Sequence, residues 1–174
     1  WNNFGDFKYT NASEFNSNAS MFDPEGTPPS FVNYVEGIYV GYKFYETAAD
    51  EGLIDYDKEV VYPFGYGLSY TTFTQKMSDI TSDGSSLKFS VTVTNTGNYD
   101  ADEIVQMYIR DMVGSVARPV KELKGFERIH LKKGESRTVS FDITAEQLKF
   151  YNSALNWVCE PGEFEVMVGG NSRD

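Results

Sequence analysis

Two carboxylates stand where chemistry could be done. Glu36 sits in Tyr34-Val35-Glu36-Gly37 and Asp79 in Met77-Ser78-Asp79-Ile80. A carboxyl pair about 5 Å apart, one ionised to attack and one protonated to donate, can cleave a glycosidic bond with retention. A lone carboxylate cannot do both jobs, so Glu36 reads more plainly as an acceptor for backbone N–H groups or for an Arg or Lys. Asp79, followed by Thr81, Ser82, Asp83 and Gly84, reads as part of a polar turn. The single histidine, His130, lies between Ile129 and Leu131, which supports neither a triad nor a histidine-rich metal site and suits a solvent-facing strand position. Asp100, Asp102 and Glu103 lack the ligand spacing of a calcium loop and read as a solvated acidic turn. Cys159 is the only cysteine. It excludes an internal disulfide and a cysteine-based zinc cage, and reads as a small, buried or half-buried strand residue. Trp1, Trp157 and the tyrosines raise stacking on sugar rings. Trp157, after Leu155 and before a strand, fits a sandwich core or edge first. On this reading no residue is assigned a catalytic or metal-binding role, and substrate-binding residues stay open.

The elements that would position these residues fall into two parts. Residues 1 to 33 are rich in Asn, Ser, Gly, Pro and aromatics and read as a long irregular loop, whose Asn11-Ala12-Ser13 and Asn18-Ala19-Ser20 fit a glycosylation sequon with little specificity. The bulky run Gly37 to Tyr45 reads as a buried segment, and Glu46 to Gly52 as a short helical turn ending at glycine. Pro63-Phe64-Gly65-Tyr66-Gly67 is a turn-rich hinge, with a domain boundary close to Leu68. Beyond it the period is two. Leu87, Phe89, Val91 and Val93 alternate with Lys88, Ser90, Thr92 and Thr94. Val105, Met107 and Ile109, then Val139, Phe141 and Ile143, then Phe164, Val166 and Val168 repeat the device between Gly and Pro turns, which predicts an antiparallel two-sheet sandwich of about seven strands.

The net charge of −11 over 174 residues opposes a nucleic-acid or anionic-membrane partner but is indifferent to a neutral sugar. No run of about 18 apolar residues is present to span a bilayer. The cellular compartment, cytoplasmic or secreted, stays open.

Four motifs in order carry a family resemblance. They are Tyr34 to Tyr45 with Val61-Tyr62-Pro63-Phe64-Gly65-Tyr66-Gly67-Leu68-Ser69-Tyr70; Val91-Thr92-Val93-Thr94-Asn95-Thr96-Gly97; Glu103 to Ile109 with Arg118-Pro119-Val120-Lys121-Glu122-Leu123-Lys124-Gly125-Phe126; and Pro161 to Gly169. Over roughly residues 31 to 172 the chain resembles the C-terminal region of glycoside hydrolase family 3, the β-glucosidase and β-xylosidase family. The resemblance implies that residues 1–67 end an α/β sandwich domain and residues 68–174 form a fibronectin type III-like (immunoglobulin-like) domain. It further implies a parent that hydrolyses terminal β-linked sugars with retention, without metal or organic cofactor, with its nucleophilic aspartate and acid glutamate on segments outside this chain. The partners would be the remaining catalytic domains and, through them, the carbohydrate. Met77-Ser78-Asp79 mimics the family's nucleophile triplet, but Ile80 follows where the family has tryptophan. Trp1-Asn2-Asn3-Phe4-Gly5-Asp6-Phe7 resembles a subset in which the barrel follows the fibronectin-like domain. Two readings compete with a bracing role, a free-standing carbohydrate-binding or adhesion module and an autonomous hydrolase using Glu36 and Asp79.

Overall fold

The computed structural model describes residues 36–83 and 86–174. Trp1, both sequons and the opening Trp1 to Phe7 motif lie outside the described residues. Contacts divide the chain into Trp1–Val40 and Gly41–Asp174. In the smaller unit the Glu36 carbonyl accepts the Tyr39 N–H at 2.9 Å, closing a turn. Every described helix and strand lies in the larger unit.

Alternation in the sequence becomes two antiparallel sheets. Strand β3 (Ser86–Asn95) centres the first, with β1 (Phe73–Met77) and β2 (Thr81–Ser82) on one side and β6 (Ser136–Thr144) on the other. The second sheet orders β5 (Glu122–Leu131), β4 (Ala101–Asp111) and β9 (Phe164–Gly169). Their facing side chains make one core, in which Phe89, Val91, Val93, Val139, Phe141 and Ile143 meet Val105, Met107, Ile109, Ile129 and Leu131. Removing each such side chain from water is worth about 1.5–3 kcal/mol. A four-stranded and a three-stranded sheet meet the expectation of an antiparallel, fibronectin type III-like sandwich. Phe164, Val166 and Val168 are only half-buried, because β9 is an edge strand. Thr81 and Ser82 pair with Lys88 and Leu87, so the stretch read as a polar turn after Asp79 includes an edge strand.

Two further elements extend the sandwich. Ahead of it stand α1 (Tyr42–Asp50) and α2 (Tyr56–Glu59). Helix α1 starts at Tyr42, four residues before the expected Glu46, with Gly41 at φ 63° as its N-cap, and converts about half of the aromatic run into helix. Phe44 lies on its outer side, 42% exposed, so the run is not uniformly buried. Its end is a Schellman motif. Gly52 at φ 69° donates its N–H to the Ala49 carbonyl and Leu53 donates to that of Ala48, the left-handed stop that glycine favours. After β6 come α3 (Ala145–Leu148), opened by a Thr144–Gln147 capping box, and the small ribbon of β7 (Phe150–Tyr151) and β8 (Trp157–Val158).

Strand β4 departs from period two. Val105 to Ile109 are all buried, because Gln106 and Tyr108, on the face away from the core, lie beneath the segment that carries α1 and the hinge. At the end of β3, Asn95 has no exposure. Its amide accepts from Thr71 Oγ1 and the Gly97 N–H and donates to the Tyr99 and Leu131 carbonyls, so every polar atom of that buried side chain is matched.

Candidate functional site: a buried polar seam

Helical spacing places Tyr42, Lys43, Glu46, Thr47 and Asp50 on the side of α1 that faces the sandwich. Each finds a partner there. The Tyr42 hydroxyl accepts the Leu123 N–H at 2.8 Å, and Thr47 Oγ1 accepts the Val120 N–H at 3.2 Å. Lys43 stands 3.5 Å from Glu122, and Asp50 receives Arg110 Nη2 at 3.0 Å. The Tyr42 ring stacks on Phe64 with centroids 4.4 Å apart and meets Tyr108 edge-on at 6.1 Å.

Glu46 is the centre. Only 4% exposed, its Oε1 accepts the Tyr56 hydroxyl at 2.9 Å and the Ser172 hydroxyl at 2.6 Å. Its Oε2 faces Arg173 at 3.8 Å, and that guanidinium lies over the Tyr56 ring at 4.3 Å. A buried carboxylate persists when charge-assisted donors replace its lost water. Burial first, and then the hydrogen bond to Glu46, pushes the Tyr56 hydroxyl up to about 12. Burial likewise raises Tyr42 and Tyr108.

The hinge is fastened by Gln106. Its Nε2 donates to the Gly170 carbonyl at 2.5 Å and to that of Gly65 at 3.4 Å, while its Oε1 accepts the Tyr108 hydroxyl at 2.5 Å. Gly65 adopts φ 81°, and a Cβ there would lie 2.2 Å from Gln106 Oε1. Both the backbone angle and the close approach therefore require glycine. Beside the seam, Glu122 receives Arg118 at 2.6 Å with Lys124 at 3.7 Å, and the Arg118 guanidinium covers the Phe150 ring at 4.9 Å. Such a network can hold two segments in one register.

The residues singled out by sequence fall elsewhere. Glu36 is half-buried in the smaller unit and Asp79 is exposed in the larger one. His130 is exposed on β5, as its alternation predicts, with Nδ1 2.7 Å from Asp102 Oδ1. Asp102 also accepts Arg128 Nε at 2.8 Å, and the two contacts, His130 first, hold its carboxyl below the usual range. Asp102 and Glu103 lie on β4 rather than in an acidic turn, and Asp100 accepts the Lys133 N–H. Glu103 faces inward at the sheet edge, where Gln75 Nε2 donates to it at 3.1 Å; burial, with Asp174 nearby, raises its carboxyl. Cys159 is exposed and follows β8, which corrects the reading of a buried or half-buried strand thiol: the ribbon ends at Val158 and the chain continues along the surface into the exposed segment 161–163. Trp157 is an edge aromatic of that ribbon. Sequence reasoning missed Glu46, Tyr56, Gln106, Tyr108 and Ser172. One signal was available: Ile104 to Ile109 contains no charged residue, the mark of a strand covered on both faces.

The fold and the seam define a fibronectin type III-like sandwich with a helical segment locked to one face. A family model described as the fibronectin type III-like domain matches residues 103–172. The thermostable β-glucosidase B of Acetivibrio thermocellus is 43% identical over 150 residues, covering 82% of this chain and 18% of the relative. A β-xylosidase of Formosa agariphila is 49% identical over 122 residues, covering 67% and 17%. The crystal structure of the β-glucosidase from Kluyveromyces marxianus superposes with a TM-score of 0.73 at 42% identity, covering 82% and 16%. The chain carries a fibronectin type III-like domain and is homologous to the C-terminal region of glycoside hydrolase family 3 β-glucosidases and β-xylosidases. It spans less than a fifth of the length of these relatives.

Proposed function

We propose that this chain is the structural, accessory portion of a family 3 glycosidase and braces catalytic domains encoded elsewhere in the parent. The parent hydrolyses terminal β-linked sugars, β-glucosides first, by a retaining two-carboxylate route that needs no metal or organic cofactor. Its carboxylate pair lies outside this chain. The observation that carries the reading is the seam. Residues 41–67, which end the α/β domain on this reading, are clamped by Glu46, Thr47 and Gln106 to residues 68–174, so the two move as one body. We place the domain junction at Gly67–Leu68.

An outward apolar ridge supplies the contact. Val61, Tyr62, Phe64, Tyr66, Leu68 and Tyr70 are exposed, Leu68 and Tyr70 by 90% and 93%. A ridge of that kind on a soluble domain marks an interface. Its occupant is the remaining domains of the same glycosidase, since the relatives are more than five times longer than the matched segment. Carboxylates that must be held to within about 0.5 Å gain from such a rigid outer support.

The test assays the purified chain on a panel of aryl β-glycosides. No turnover is expected. Turnover abolished by Asp79→Asn or Glu36→Gln would overturn the reading and make the chain an enzyme in its own right.

A further inference from the structure

The β7–β8 ribbon carries aromatics that the fold does not use. Tyr151 and Trp157 pair across it with centroids 4.8 Å apart and planes tilted by 49°, and they are 62% and 47% exposed. Yet both are held firmly. The root of the ribbon, Phe150, is 2% exposed beneath the Arg118 guanidinium. The Trp157 indole N–H donates to Glu146 Oε1 at 2.9 Å, and the other oxygen of Glu146 is fixed by Lys149 at 2.6 Å. At the tip Asn152 Oδ1 accepts the N–H groups of Ala154 and Asn156, each at 3.0 Å. Leu155 is held there at φ 60°, a left-handed angle that strains a non-glycine residue.

We propose that Tyr151 and Trp157 form a carbohydrate-stacking site that takes one ring of a neutral oligosaccharide. The proposal stands on this ribbon alone and does not depend on the bracing role. Aromatic faces match the C–H face of a pyranose, and the carboxylate of Glu146 and ammonium of Lys149 stand at the rim to exchange hydrogen bonds with hydroxyls. A net charge of −11 disfavours an anionic ligand. The tilt fits a single ring rather than an extended row, and the fixed indole removes the ordering cost that a mobile exposed tryptophan would bear on binding.

Affinity electrophoresis in gels containing a soluble, uncharged β-glucan tests this. Retardation of the chain is expected, and Trp157→Ala or Tyr151→Ala should weaken it at least tenfold with the urea midpoint unchanged. In a Trp1→Phe background Trp157 is the only tryptophan, so laminaripentaose or cellopentaose should change its emission in a saturable manner. An unretarded wild-type chain, or retardation that Trp157→Ala leaves intact, overturns the proposal. Emission that changes with protein concentration and not with sugar also overturns it, and assigns the ribbon to contact with a second copy.

Discussion

Replacing Glu46 by alanine is the sharpest test of the seam. The substitution removes a nearly fully buried carboxylate that accepts two hydroxyl groups, at 2.9 and 2.6 Å, and faces a guanidinium at 3.8 Å. Hydrogen bonds to a charged acceptor contribute about 1.5–3 kcal/mol each, and the donors left behind are desolvated. Arg173 is half in solvent and recovers water, so its contact adds little. The expected loss is about 3 kcal/mol, a fall of roughly 12 °C in Tm for a domain of this size. Glu46→Gln keeps an acceptor oxygen and should cost about 1 kcal/mol. Urea denaturation of Glu46→Ala, Tyr56→Phe and the double variant measures the coupling, expected at about 1–2 kcal/mol. The alkaline limb gives an independent reading. Tyr56 keeps its proton to about 12 in the folded chain and releases it near 10 when unfolded. Its contribution is therefore complete below pH 10 and is lost as pH rises towards 12, and Tyr56→Phe should flatten that limb. A loss below about 1 kcal/mol for Glu46→Ala, with additive behaviour in the double variant, would refute a buried polar clamp.

Gly65→Ala should destabilise by about 3 kcal/mol, read from the urea midpoint, since it combines φ 81° with a Cβ 2.2 Å from Gln106 Oε1. Glu103→Gln should stabilise by about 1 kcal/mol near pH 7, because the new amide can donate to Gln75 Oε1, which has no partner. The folded carboxyl of Glu103 is raised, so the wild-type chain is penalised once pH exceeds the unfolded carboxylate value. The gain from Glu103→Gln must then shrink as pH falls and the native side chain takes up its proton. A gain independent of pH would reject that account.

What the sequence disclosed follows from which face of each element it reports. In β3 the alternation of Leu87, Phe89, Val91 and Val93 reports a strand with one face in the core and one in water, and the register against β6 bears it out. In β4 the same rule placed Val105, Met107 and Ile109 in the core but left Gln106 and Tyr108 to solvent. A period of two cannot see a second layer contributed by residues as distant as Gly65 and Gly170. The seam was hidden for the same reason. Glu46 and Ser172 are separated by most of the chain, and each alone reads as an ordinary surface residue. Cys159 failed differently, since its type is most often buried but the ribbon ends one residue earlier.

That division bears on function. The polar face of α1 is committed inward, to the sandwich, while Phe44, Leu53, Val61 and Tyr62 face outward and are 42% to 84% exposed. In a self-sufficient domain the arrangement would be reversed, with apolar side chains inward and charges in water. Helix α1 thus directs hydrogen bonds to the sandwich while Phe44 and the segment after the helix carry apolar side chains away from it, the arrangement that the proposed position between two bodies requires. The polar contacts fix register with the sandwich, and under the proposed bracing role the exposed apolar side chains would supply the area that binds the remaining domains. The ridge and the seam therefore make separable predictions for a full-length parent. Leu68→Asp should weaken docking of the remaining domains while leaving the unfolding free energy of this chain, read through the urea midpoint, within about 0.5 kcal/mol. Glu46→Ala should lower that midpoint directly. If Leu68→Asp destabilised the isolated chain as much as Glu46→Ala did, the ridge would be part of the domain's own core and not a face for a partner.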